Sequence, residues 1–149
     1  MQTGNKYYLV VVADESRAVL YQRERRRSPL REMRSFENEA ARLKTNELIA
    51  DRGGRAFDSY GQGRHTMTAE KTDPKQHLAD AFARKIAEYI GSEEHKGHLR
   101  GYALVAAPRF LGTLRAQLGP RVSGEPYATV AKNVVGQPDE TVKRLLDGS

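Results

Sequence analysis

The chain has 149 residues, no cysteine, a formal net charge of +6 and a pI near 9.7. This length suits one domain with one hydrophobic core, and we assign residues 1–149 to it. Without cysteine the chain has no disulfides, thiolate metal ligands or cysteine nucleophiles.

Arginine outnumbers lysine by 17 to 8. A guanidinium offers a planar fork of donors that matches phosphate and carboxylate, whereas an ammonium is a compact, strongly hydrated charge. A basic chain rich in arginine therefore favours a polyanionic partner, above all nucleic acid.

The longest apolar run, from Tyr7 to Ala13, is far shorter than the roughly 20 residues that cross a bilayer. It also lacks the basic leader and small-residue cleavage site of a signal peptide. We therefore expect a cytoplasmic protein that does not insert into membranes.

The first part of the chain predicts three antiparallel strands. Lys6 to Ala13 is a β-branched and aromatic run followed by turn formers, which indicates a buried strand. Arg17 to Gln22 alternates and predicts a second strand joined to the first by a tight hairpin. The arginine-rich residues 23–27, ended by Ser28-Pro29, are expected in water at the tip of the next hairpin. Leu30 to Phe36 fits an edge strand that carries charge.

The later part of the chain alternates helices with strands. Asp73-Pro74 is the clearest helix start, because aspartate caps free amides and proline needs no donor in the first turn. An apolar stripe continues to Ile90, and Gly91 is predicted to end this helix. The other predicted elements are a turn or two of helix within Asn38–Ala50, a strand at Tyr102–Ala107, a helix from Pro108 to Leu118, a strand at Tyr127–Ala131 and a helix at Pro138–Leu146.

The predicted order of elements is βββαβαβα. Hairpins make the first three strands antiparallel, whereas strand–helix–strand crossovers need parallel neighbours and a right-handed connection. The sequence thus predicts an α/β protein with a mixed five-stranded sheet and helices on its faces. This topology occurs in ribonuclease-H-like folds and in the central domain of the eukaryotic peptide-chain release factor. A fold alone does not give a function.

A ribonuclease-H-like nuclease would need several carboxylates around two divalent metals. Asp14 is one candidate, but Ala106 and Ala107 occupy the end of the fourth strand, where another acid is wanted. We therefore expect no nuclease activity and no cofactor.

Residues Asp51–His65 contain four glycines, three arginines, two aspartates and a histidine, with no apolar period. Loops of this length inside a compact domain are usually functional or disordered. Phe57 and Tyr60 supply apolar anchors, so we interpret the segment as a folded loop whose arginines and backbone amides meet an anion. The alternative is a solvated, glycine-rich connector.

The carboxyl ends of the strands predict where this anion binds. Asp14 follows the first strand and Arg109 follows the fourth, so both should lie at one edge of the sheet, beside the anion-favouring start of a helix. If the loop folds over this edge, its arginines Arg52, Arg55 and Arg64 join Arg109 in a phosphate-binding cluster. In the alternative, the aspartates Asp14, Asp51 and Asp58 pair with these arginines and merely hold the loop down.

Several groups of residues form a combined pattern: Val11-Val12-Ala13-Asp14 with Ser16-Arg17-Ala18, Asp51-Arg52-Gly53-Gly54-Arg55, Phe57-Asp58-Ser59, Gly61-Gln62-Gly63-Arg64-His65, Asp73-Pro74-Lys75 with His77, and Ala107-Pro108-Arg109-Phe110-Leu111-Gly112. Together they resemble the bacterial proteins called "required for attachment to host cells", over nearly the whole chain. The pattern departs at Asn133-Val134, where this resemblance leads us to expect an aspartate–leucine pair.

The resemblance implies a relationship to the release-factor central domain, and hence association with the ribosome or transfer RNA. The release factor's Gly-Gly-Gln is not present, since Gly61-Gln62-Gly63 has another order, so hydrolysis of peptidyl-transfer RNA is not expected. Our first hypothesis is an RNA- or ribosome-associated binding protein; the alternative is an interaction protein that supports attachment through a protein or surface partner. The predicted ligand-binding residues are Asp14, Arg17, Arg52, Arg55, Asp58, Arg64, His65 and Arg109.

Overall fold

The computed structural model describes residues 6–41 and 73–148. A helical turn begins at residues 39–41, and the rest of the helix predicted within Asn38–Ala50 lies outside the described residues. The elements in chain order are β1 (Tyr7–Ala13), β2 (Arg17–Arg23), β3 (Arg31–Glu37), α1 (Pro74–His95), β4 (Leu99–Ala106), α2 (Pro108–Leu118), β5 (Ala128–Ala131) and α3 (Asp139–Asp147).

The strands form one mixed sheet in the order β3-β2-β1-β4-β5. The pairs β1–β2 and β2–β3 are antiparallel, whereas β1–β4 and β4–β5 are parallel. The predicted five-stranded α/β architecture is therefore confirmed, with β3 as a charged edge strand. The specific likeness to ribonuclease-H-like folds stays a prediction.

The sheet has helices on both faces. Leu9 and Val11 of β1 belong to the core that packs against α1 and α2, whereas Val10 and Val12 belong to the core that includes Val142 of α3. Alternate side chains of a strand point to opposite faces, so β1 is apolar throughout because both of its faces are covered. The result is a three-layer α/β/α arrangement.

Helix α1 begins as predicted but ends later. The carboxylate of Asp73 accepts hydrogen bonds from the backbone amides of Lys75 and Gln76, as expected of a capping residue. The predicted end at Gly91 is wrong, because the helix continues to His95. A Cβ atom at Gly91 would lie 2.9 Å from the carbonyl oxygen of Arg121. Glycine therefore serves close packing here and does not end the helix.

Arg23 contradicts the expectation that residues 23–27 lie in water. It is the last residue of β2, its side chain is fully buried, and its Nη2 lies 3.0 Å from Oδ2 of Asp147. Its Nε donates to the carbonyl oxygen of Ser28 at 2.8 Å. A charge this deep is tolerated because both of these partners satisfy its donors. The next arginines, from Arg25 to Arg27, are exposed as predicted.

Glu93 links the end of α1 to the start of the sheet. Its Oε1 accepts a hydrogen bond from the hydroxyl of Tyr7 at 2.7 Å and lies 2.9 Å from Nδ1 of His98. Burial acts to raise the pKa of Glu93, but the hydrogen bonds from Tyr7 and His98 outweigh it and hold the pKa below its ordinary value of 4.5. Glu93 is therefore a carboxylate in the folded protein.

This contact predicts a loss of stability in acid. A carboxylate whose pKa is lower in the folded state stabilises the protein fully above its ordinary pKa and loses that effect as the pH falls through the folded value. We expect the free energy of unfolding to decrease below pH 4.5, and to decrease less steeply for Glu93→Gln. Urea titrations at a series of pH values measure both slopes. Parallel pH dependence in the two proteins would contradict this role of Glu93.

Candidate functional site

Two of the predicted site residues, Asp14 and Arg109, lie at one edge of the sheet. β1 and β4 are parallel neighbours, and the backbone amide of Ala107 donates to the carbonyl oxygen of Ala13 at 3.1 Å. Asp14 and Arg109 follow these two strand ends and so lie at the same edge, as the strand order predicted. α2 begins here with Pro108, and no side chain of residues 6–41 or 73–148 caps its amides.

The carboxylate of Asp14 closes the turn between β1 and β2. Its Oδ1 accepts from the backbone amides of Ser16 and Arg17 at 2.8 and 2.9 Å. Its Oδ2 accepts from Nδ2 of Asn133 at 3.2 Å. Among residues 6–41 and 73–148, no arginine forms an ion pair with Asp14. Asp14 therefore shapes this edge of the sheet.

Asn133 stands where the family resemblance led us to expect an aspartate. Its amide donates to Asp14, and its Oδ1 accepts from the backbone amide of Val135 at 3.2 Å. An ionised carboxylate accepts hydrogen bonds and cannot donate one, so an aspartate at this position would face Asp14 as a like charge. The asparagine instead forms a hydrogen bond that joins the turn after β1 to the segment after β5.

The structure separates two of the predicted ligand-binding residues. Arg17 lies on the same face of β2 as Val19 and Tyr21, because alternate residues of a strand share a face. Val19 and Tyr21 belong to the core on the α3 side of the sheet. Arg109 is in the first turn of α2, which packs on the opposite face of the sheet. Arg17 and Arg109 are both exposed, but they belong to different faces.

A cavity of about 210 Å³ lies at the Arg109 side of this edge. Its walls come from the turn after β1 and from the first turns of α1 and α2, and they include Glu15, Lys75 and Arg109. Lys75 and Arg109 are exposed and have no acidic partner within the described part of the chain. Among the described residues these two cations are unpaired, although the acids Glu15 and Asp73 also line the cavity.

Asn38 also lines this cavity, although the sequence did not single it out. Its Nδ2 donates to the carbonyl oxygens of Glu15 at 3.0 Å and Leu78 at 3.4 Å, and its Oδ1 accepts from the amide of Ala41 at 3.3 Å. It thereby joins the turn after β1 to α1 and caps the helical turn at residues 39–41. An asparagine directly before a helical segment is the signal that could have found it.

The remaining predicted site residues, Arg52, Arg55, Asp58, Arg64 and His65, lie outside the described residues, so their convergence on Arg109 stays a prediction. Ala41 and Asp73 are the described residues on either side of the undescribed segment. Both of them line the cavity beside Arg109. The described chain therefore stops and resumes at this edge.

These features define a three-layer α/β protein with a mixed sheet and a cavity, whose described lining includes two cations and two acids, at the carboxyl ends of its central strands. The chain belongs to the family described as "protein required for attachment to host cells", whose profile matches residues 9–146. The family description points to a role in attachment to host cells. No curated protein matches the chain. In residues 6–41 and 73–148, we find no helix with the length and apolar character needed to cross a bilayer.

Proposed function

We propose that this protein is a cytoplasmic binding protein for transfer RNA or ribosomal RNA, and that the cavity edge holds phosphate groups. One observation carries the proposal: Ala41 and Asp73, the described residues that flank segment 42–72, both line the cavity that contains Arg109 and Lys75. We expect Arg52, Arg55 and Arg64 to add positive charge to this edge, where Lys75 and Arg109 lie beside the acids Glu15 and Asp73. A cluster of guanidinium groups is the natural partner of phosphate.

The chemistry of this edge supports the binding of an anion. Asp14 is occupied by its three hydrogen bonds. The described residues also contain no cluster of three or more side chains that could hold a metal ion. Arg109 and Lys75 supply positive charge, and the start of α2, which no described side chain caps, supplies backbone amides that can donate to an anion. The resemblance to the release-factor central domain favours RNA over other polyanions.

A second candidate function is attachment to host cells through a protein or surface partner, and the family description favours it. Such a protein would ignore nucleic acid, and part of it would leave the cytoplasm. Cell fractionation distinguishes the two candidates. A pool that sediments with ribosomes supports RNA association, whereas a pool at the cell surface supports direct attachment.

The direct test of the proposal is filter binding of transfer RNA at rising salt. Each neutralised phosphate of a single strand contributes about −0.7 to the slope of log K against log salt. We expect tight binding at low salt and a steep negative slope. A protein that does not bind at low salt, or binds equally at all salt concentrations, would contradict the proposal.

Arg109→Ala provides the site-directed prediction. We expect a salt slope that is flatter by about 0.7, because one phosphate contact is lost. The free energy of unfolding should change by about 0.5 kcal/mol or less, because Arg109 is exposed and has no acidic partner in the described residues.

The matched control for this prediction is Arg115→Ala. Arg115 is exposed in the same helix but does not line the cavity. Identical salt slopes for the two variants would show that Arg109 does not belong to the binding site.

A further inference from the structure

A second and larger concave surface lies at the opposite end of the sheet. It has a volume of about 1100 Å³ and is formed by the start of β1, the end of β2, the turn between β2 and β3, and the start of β4. We call it the arginine groove, defined by the cations Lys6, Arg23, Arg25, Arg26, Arg31 and Arg100 together with the acid Glu24.

The arginine groove has an unbalanced charge. Arg23 is neutralised by Asp147. The other five cations are exposed and have no ion-pair partner within residues 6–41 and 73–148. Glu24 is the single acid among the residues that line the groove. Like charges gathered this closely repel one another, so the surface favours an anionic ligand.

The turn that carries these arginines is held in place by hydrogen bonds. Nε of the buried Arg23 donates to the carbonyl oxygen of Ser28 at 2.8 Å. The backbone amide of Arg25 donates to Oγ of Ser28, and the amide of Ser28 donates to the carbonyl oxygen of Arg25, both at 3.1 Å. Arg25 and Arg26 therefore project from a fixed turn, which lowers the entropy cost of binding.

Aromatic rings fix Arg26 against the body of the protein. Its guanidinium carbon lies 4.4 Å from the ring centroid of Tyr127 and 5.8 Å from that of Tyr8. The two tyrosine rings meet edge to face, 5.6 Å apart, above Gly101. A Cβ atom at Gly101 would lie 3.3 Å from the ring of Tyr8, so glycine permits this close packing. Arg26 is thus positioned at the groove and does not extend freely into solvent.

We infer that the arginine groove binds the phosphate backbone of single-stranded RNA, an inference that rests on the RNA-binding function proposed above. Cationic grooves beside aromatic side chains are typical of proteins that bind single strands. A flat anionic bilayer fits the surface less well, because the cations line a concavity. Residues 24–29 also contain no aromatic or large aliphatic side chain that would enter a bilayer.

The distance between the groove and the cavity sets the minimum length of a ligand that contacts both. β1 has seven residues and separates the groove from the cavity at Arg109. At about 3.3 Å per residue, the two ends of this strand are about 20 Å apart. A ligand that contacts both surfaces must therefore be a polymer, whereas a free phosphate ion could occupy only one of them.

The test compares two double variants that remove the same charge. Arg25→Gln with Arg31→Gln alters the groove, whereas Arg84→Gln with Arg115→Gln alters exposed arginines of α1 and α2 outside it. Fluorescence anisotropy of a labelled oligouridylate is recorded against salt concentration, beside filter binding of transfer RNA. Melting temperatures check that both variants remain folded.

We expect the groove variant to lose affinity for oligouridylate, with a salt slope flatter by about 0.7 for each lost phosphate contact, while the control variant keeps the wild-type slope. Equal slopes in the two variants would overturn the groove as the binding surface. Binding of transfer RNA but not of oligouridylate by the wild type would overturn it too, and would leave the proposed function intact. Failure of the wild type to bind either RNA would overturn both proposals. Groove-dependent binding to phosphatidylserine vesicles without RNA binding would assign the surface to a bilayer instead.

Discussion

Replacing Asp147 with asparagine should lower the free energy of unfolding by about 3–5 kcal/mol, because it leaves the buried Arg23 without its counter-charge. The Arg23 side chain is 0% exposed and that of Asp147 is 6% exposed. Burial alone would raise the pKa of Asp147, but hydrogen bonds from Arg23 and Lys143 hold the pKa below its ordinary value of 3.8. Urea unfolding followed by circular dichroism measures the loss.

Glu140→Gln is the matched control for Asp147→Asn. Glu140 is an exposed carboxylate in the first turn of the same helix, and its removal should cost about 1 kcal/mol at most. Replacing both partners, as in Arg23→Met with Asp147→Leu, should recover much of the stability, since a buried pair costs desolvation that apolar side chains avoid. Equal stability of Asp147→Asn and Glu140→Gln would show that the buried pair contributes nothing.

Phe110→Ala should also destabilise the protein by about 3–5 kcal/mol. The Phe110 side chain is 1% exposed, and its ring centroid lies 6.0 Å from that of Phe82 in α1. Truncation removes apolar contacts between α2, α1 and the sheet and leaves a cavity that the surroundings fill only partly. A thermal melt measures the effect, and the neighbouring Arg109→Ala variant is the control. A melting temperature close to that of Arg109→Ala would contradict this packing role.

The sequence predicted those elements whose signals are local. The apolar run at β1, the hairpin after Asp14 and the capped start of α1 are all coded by neighbouring residues. The parallel pairing of β1 with β4 followed from the helix between them, because a crossover connection of this kind joins parallel strands. The shared edge of Asp14 and Arg109 followed in turn from this pairing.

Features that depend on distant partners could not be predicted. The glycine at position 91 locally predicts a helix end. The close approach of the Arg121 carbonyl oxygen, which explains the glycine, comes from a segment after α2 and is not visible in the local sequence. The charged run around Arg23 locally predicts a solvated side chain. Its partner Asp147 is 124 residues away in sequence, so the local pattern does not contain the ion pair. In both cases the local pattern favoured one structure and a tertiary contact selected another.

The candidate site was predicted only in part for the same reason. The strand order places Asp14 at the correct edge, but its bond to Asn133 needs the segment after β5, which no local pattern connects with β1. The sequence does not predict the arginine groove, because its residues come from separate parts of the chain: the start of β1, the end of β2 and the turn that follows it, the start of β3 and the start of β4. In the sequence, Arg23, Arg25 and Arg26 belong to a charged run at a hairpin tip, and no local pattern joins them to Arg31 or Arg100.

The central claim, that RNA binds at the arginine groove and at the cavity edge, is tested most directly by ultraviolet crosslinking of the purified protein to transfer RNA with peptide mapping. We predict crosslinks in peptides from residues 24–31 at the arginine groove, and in peptides from residues 42–77 and 107–113 at the cavity edge. Crosslinks confined to peptides from the exposed sides of α1 and α3, or no crosslinks at low salt, would contradict the claim.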